Sequence, residues 1–140
     1  METLSPFMTA WYPRVLALLR IVTGYLFIWH GSAKHLKVPH IAMFDALPAM
    51  SLPWFAGWLE LVGGALIILG LFTRPTAFVM SGTMAAAYFI GHASKGTPHL
   101  PILNGGELAV LYCFVFLFLS VAGPGAWSVD SLMGRRRTVP

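Results

Sequence analysis

A chain of 140 residues that is 57% apolar or aromatic and only 10% charged, with a mean hydropathy of +0.74, cannot cover itself with polar surface. Soluble domains carry about 25% charged residues, so lipid is the expected solvent for much of this one. The net charge of +4 comes without a basic stripe interleaved with aromatics, which argues against nucleic acid as a partner, and the single cysteine, Cys113, excludes an intrachain disulfide or dithiol.

Four windows approach the roughly 20 apolar residues that a helix needs to cross the hydrocarbon core. The first covers 13–31. It is too long for a secretory leader and carries Arg20 inside it, so it is read as a retained span. The connection 33–52, "AKHLKVPHIAMFDALPAMSL", places Ile41, Phe44 and Leu47 at helical spacing. That pattern predicts a short helix lying in the interface or folding back over the mouth of the bundle. The second and third windows cover 53–72 and 75–93. Pro13, Pro53 and Pro75 open the first three, in first-turn positions where a proline forfeits no hydrogen bond. The connection 94–105, "SKGTPHLPILNG", is a Pro/Gly loop whose Asn104 is expected to cap the fourth window, 106–122. "GPG" at 123–125 stops that helix, and 123–140 is a tail.

The expected fold is therefore all-α, a single-domain membrane bundle of four helices. Short-loop charges orient it. Arg14, Arg74 and Arg135 to Arg137 fall on one side against Lys34, Lys37 and Lys95 on the other, five against three, predicting both termini in the cytoplasm.

Charges inside the spans need a reason, because a lipid-facing carboxylate or guanidinium is costly. At 100° per residue, Glu60 shares a helical stripe with Gly57, Gly63, Gly64 and Ile67. Small residues mark the face on which helices pack closely in lipid, so Glu60 is expected to point inward. Arg20, Thr23, Gly24, Phe27, Gly31 and Lys34 form a matching stripe in the first span, with His30 at its edge. Ser81, Ala85, Tyr88 and His92 line up in the third, and Asn104, Glu107 and Leu111 in the fourth. With the proposed orientation, each helix brings at least one ionisable group to the non-cytoplasmic half of the bundle.

Two readings compete for this polar set. One is an internal network that pairs Arg20 with Glu60 and Lys34 with Glu107, fixing helix register. The other is a pocket for a polar head group, a quinone ring or a metal, built from Arg20, His30, Lys34, Glu60, Tyr88, His92, Asn104 and Glu107. Metal or haem is disfavoured, since no Glu-x-x-His or His-x-x-x-His pair occurs on one helix. The surrounding Phe27, Trp29, Trp54, Phe55, Trp58, Tyr88 and Phe89 fit an interfacial aromatic belt, or else a wall for a planar ring.

Three stretches carry a family resemblance: "LRIVTGYLFIWHGSAKHLK", "ELVGGALIILGLFTRP" and "NGGELAVLYCFVFLFLSVAGPGAWSVD". Together they resemble the DoxX family over nearly the whole chain, in the ordered set Arg20, Gly31, Lys34, Glu60, Gly63, Gly64, Gly70, Arg74 and Glu107. The resemblance implies a small four-helix protein of the inner membrane linked to redox physiology. Related proteins include the membrane subunit of a thiosulfate:quinone oxidoreductase, whose chemistry involves a second kind of subunit. "GTPHLP" stands where close relatives would carry a more aromatic loop. On this basis the expected role is a quinone-interacting or electron-transfer membrane component, acting with a soluble or membrane redox partner and compatible with a homo-oligomer. Arg20 would order Glu60, and Glu60, desolvated, would be the proton-relay candidate. His30, His92 and Glu107 would meet the ring at the rim, and Lys34 would attract an anion. The alternative is non-catalytic: a scaffold for a soluble redox enzyme, or a binder or carrier of a small molecule or lipid.

Overall fold

The computed structural model describes residues 5–137, with side chains as far as residue 134. It is all-helical, with no strand among the described residues. The elements are α1 (Pro6–His35), α2 (Leu52–Leu69), α3 (Thr73–Ala86), α4 (Pro101–Asn104), α5 (Glu107–Ala122) and α6 (Val129–Arg137). Two short helices, α4 and α6, thus add to the four that hydropathy predicts. Both are too short or too polar to register as apolar windows.

The start of α1 differs from expectation. Ser5 caps it, its hydroxyl accepting from the Met8 amide at 3.3 Å, and Pro6 takes the first-turn position, so Pro13 lies inside the helix. At about 1.5 Å per residue the 30 residues of α1 run about 45 Å, well past a hydrocarbon core of about 30 Å. Both α1 and α2 are long and apolar enough to cross a membrane, while α5 is apolar but has 16 residues. The 14 residues of α3 continue without a break into a π-helical turn, Ala87–His92, and a 3-10 turn, Ala93–Lys95.

Packing follows the small-residue stripes. α1 lies along α2 and α3 along α5, with α2 also meeting α3. A Cβ at Gly31 would sit 2.5 Å from the carbonyl oxygen of Gly57 and from the amide nitrogen of Leu61. The α1–α2 approach is therefore one that only glycine permits there. Gly24 opposes Gly64, Ile67 and Ile68, so the two helices run antiparallel. Leu16, Phe27, Ile67, Met80, Phe116 and Leu119 fill the core. The outer faces are apolar as well, with Val22 of α1, Val62 of α2, Phe78 of α3 and Phe114 of α5 all exposed. An apolar exterior on this scale matches lipid rather than water.

Candidate functional site

Near one end of the helices, where the last turns of α1 meet the first turns of α2, two charges face each other. Lys34 Nζ donates to both carboxylate oxygens of Glu60 at 2.6 Å, and the two side chains are only 11% and 5% exposed. Helical side chains lean toward their own N-terminus. In an antiparallel pair, Lys34 therefore leans down into the bundle and Glu60 leans up toward Gly57, and they converge.

The same rule corrects the expected partner of Glu60. Arg20 is fully buried, but it leans toward the start of α1, which is the end of α2, away from the carboxylate. Its guanidinium donates to the carbonyls of Ile67 (2.6 Å), Ile68 (2.5 Å), Pro124 (2.8 Å), Ala126 (3.3 Å) and Trp127 (2.9 Å). Arg20 thus belongs to the opposite end of the molecule and does not order Glu60. The expected Lys34–Glu107 pair is also absent: Glu107 is exposed in the first turn of α5, where its charge suits the helix dipole. Lys34, already neutralised, is not a free anion trap.

Beside the ion pair lies a cavity of about 230 Å³, lined among others by His30, Lys34, Glu60, His92 and Tyr112. Phe27 forms part of the wall, its ring 5.3 Å from Tyr112 and 4.9 Å from Phe116 between centroids. His30, at the exposed edge, stands 6.2 Å from Tyr112. Neither the Tyr112 hydroxyl nor the His30 ring has a protein hydrogen-bond partner among the described residues. Asn104 and Tyr88 do not line the cavity but close its surroundings. The Tyr88 hydroxyl donates to the Pro98 carbonyl at 2.7 Å and accepts from Asn104 Nδ2 at 3.3 Å. Asn104 Oδ1 accepts from the Gly106 amide at 2.9 Å; Gly106, not Asn104, is the N-cap of α5.

The 36–51 connection reaches the edge of this region. It carries a 3-10 turn at Ala42–Phe44, and Lys34 Nζ lies 5.6 Å from the Phe44 ring centroid, within cation–π range. Trp54 and Trp58 do not line the cavity; they pack with His35 instead. His35 stacks on Trp58 at 4.3 Å and its Nε2 donates to the Trp54 carbonyl at 2.9 Å. Among the described residues, no three His, Cys, Asp or Glu side chains group as a metal site.

The family model for DoxX matches residues 15–93. The chain belongs to the DoxX family. An uncharacterized protein of Haemophilus influenzae is 50% identical over 122 residues, covering 85% of this chain and 90% of that one. The inner membrane protein YqjF of Escherichia coli is 30% identical, covering 84% and 90%. "Putative oxidoreductase CatD" of Bacillus subtilis is 27% identical, covering 81% and 82%. No solved structure matches. Membership agrees with the apolar exterior: this is a membrane protein. The DoxX match takes in Arg20, His30, Lys34, Glu60, Tyr88 and His92, while Tyr112 lies beyond it.

Tyr112 is the site residue that sequence reasoning missed. α5 is apolar on every side, so hydropathy marks no inner face, and the Asn104–Glu107–Leu111 stripe turned out to face outward at Glu107 and Leu111. The usable signal was the spacing of Tyr112 and Phe116, one turn apart on the inner side of α5.

Proposed function

We propose that this DoxX protein crosses the inner membrane four times, through α1, α2, α3 with its π-helical extension, and α5, with both termini in the cytoplasm. In that arrangement the Lys34–Glu60 cavity lies on the periplasmic side and receives the polar ring of a quinone. The chain then acts as the membrane component of a redox system whose electrons are exchanged with a partner protein, since a single cysteine offers no dithiol of its own.

The observation that carries this reading is the cavity itself. A buried, mutually neutralised ion pair, unpartnered polar groups on His30 and Tyr112, and an aromatic wall at Phe27 converge from α1, α2 and α5. Small-ligand sites have this composition, mostly apolar with a few aimed polar groups. At about 230 Å³ the space suits a single ring rather than a whole prenylated molecule. The word oxidoreductase in the name of the Bacillus subtilis relative agrees with a redox role. A bound quinone would supply a carrier for two electrons and two protons. The chain's own residues orient its ring, and Glu60, held by Lys34, is the group placed to take or return a proton.

Mass analysis of lipid extracts from purified protein tests this directly, followed by titration with a short-chain benzoquinone. Co-purified or added quinone bound in a saturable way is expected. A preparation that is free of quinone and also fails to bind it sinks the proposal.

A further inference from the structure

The hydrogen bonds around the cavity fix which partner atoms it offers. His92 Nδ1 lies 3.1 Å from the backbone carbonyl oxygen of Asn104. A carbonyl can only accept, so in the neutral ring the proton sits on Nδ1 and Nε2 carries a lone pair. The π-helical turn Ala87–His92 aims this side chain. Residues five apart share a face in such a turn, and Ala87 and His92 both line the cavity, whereas an α-helical continuation would carry His92 round toward Tyr88. Among the other lining groups, Glu60 is an acceptor, and Lys34, the one cation, already spends two of its protons on Glu60 and faces Phe44. His30 and Tyr112 can adapt to either role. The groups whose role is settled and whose capacity is free are acceptors.

We infer that the cavity selects a neutral ring bearing a hydroxyl, which donates to His92 Nε2. Resting on the quinone reading above, this means that the site holds the hydroquinone in preference to the quinone. His92 is a binding and selecting residue, and its acceptor is available only because Asn104 holds the other ring nitrogen. A charged ligand is disfavoured, because the Lys34–Glu60 pair presents no net charge.

The test compares three rings on the purified full chain, anaerobically and at mildly alkaline pH: a short-chain benzoquinone, its hydroquinone, and the hydroquinone dimethyl ether. The hydroquinone is expected to bind about tenfold tighter than either the quinone or the ether, neither of which can donate, the scale of one hydrogen bond. In His92→Phe, which keeps an aromatic ring but no acceptor, that ratio should fall to about one. In His92→Gln, whose amide can donate to the Asn104 carbonyl while its oxygen accepts from the ligand, part of the preference should return. Equal binding of hydroquinone and ether by the unaltered chain overturns the inference while leaving ring binding intact, and so does a ratio that survives His92→Phe. Failure of all three rings to bind overturns the quinone reading itself, and the inference with it. Where His92→Phe does not fold, the unaltered chain still tests the hydroxyl preference, and His92→Gln, expected to keep only part of it, tests its origin at His92; a full ratio in His92→Gln overturns that origin.

Discussion

At the scale of single residues, two buried cations have opposite fates, and the lean of helical side chains explains both. Lys34 finds a carboxylate, while Arg20 finds only carbonyls. Periodicity in the sequence placed both on the inner face of α1, and the structure buries that stripe from Arg20 to Gly31. Which partner each meets is not legible in spacing, because spacing sets the face of a helix and not the direction in which a side chain leans. Glu60→Gln or Lys34→Met leaves one buried charge unmatched and should cost about 3 kcal/mol or more. Combining them should recover most of that loss if the pair is structural, since both charges then go. Melting in detergent reads stability, and quinone titration reads function. Recovered stability without recovered binding assigns the pair to the ligand as well as to the fold. Arg20→Met should lower the melting temperature with no effect on ring affinity beyond that caused by unfolding, because its five carbonyl partners lie at the other end of the molecule.

At the scale of elements, the α1–α2 pair is set by glycines. A Cβ at Gly31 would press on backbone atoms of α2, which cannot rotate aside, whereas one at Gly82 of α3 meets nothing within 4 Å. Gly31→Ala is therefore expected to separate the helices, destabilise the protein and weaken the Lys34–Glu60 contact. Gly82→Ala should be neutral or stabilising by about 0.5–1 kcal/mol, through helix propensity alone. Equal effects of the two substitutions on melting would remove close packing as the cause. Every residue of the buried α2 stripe, Gly57, Glu60, Gly63, Gly64 and Ile67, was readable from spacing. The fourth window was not, because a helix that is apolar all round gives periodicity nothing to detect. Nor could the π-helical turn be foreseen, and it is what moves His92 off the α-helical stripe shared with Ser81 and Ala85.

At the scale of the whole molecule, the end opposite the cavity is closed by the segment after α5. Asp130 accepts from the amides of Phe72 and Thr73, each at 2.8 Å, and so caps α3 from a distant part of the chain. Arg74 answers at the other terminus of the same layer, donating to the carbonyls of Ser120 and Val121 as α5 ends. Asp130→Ala should lose about 1–2 kcal/mol, the usual worth of a cap, measurable by melting. A reporter joined to the C-terminus should read cytoplasmic; a periplasmic signal would turn the cavity to the inner face. That orientation leans on Arg135 to Arg137, whose side chains lie outside the described residues. The tail, read from sequence as an appendage, carries α6, one of the two helices that the windows overlooked. Its polarity hid it, since hydropathy finds what avoids water and α6 contacts the rest through hydrogen bonds. Arg20 adds an element of timing. A ribosome delivers chains N-terminus first, so the guanidinium enters lipid with α1, while three of the carbonyls that receive it, on Pro124, Ala126 and Trp127, are made about a hundred residues later. Until then the first helix holds a charge with an incomplete set of acceptors, and a chain cut short before Pro124 leaves that guanidinium without three of the five carbonyls it meets in the finished fold.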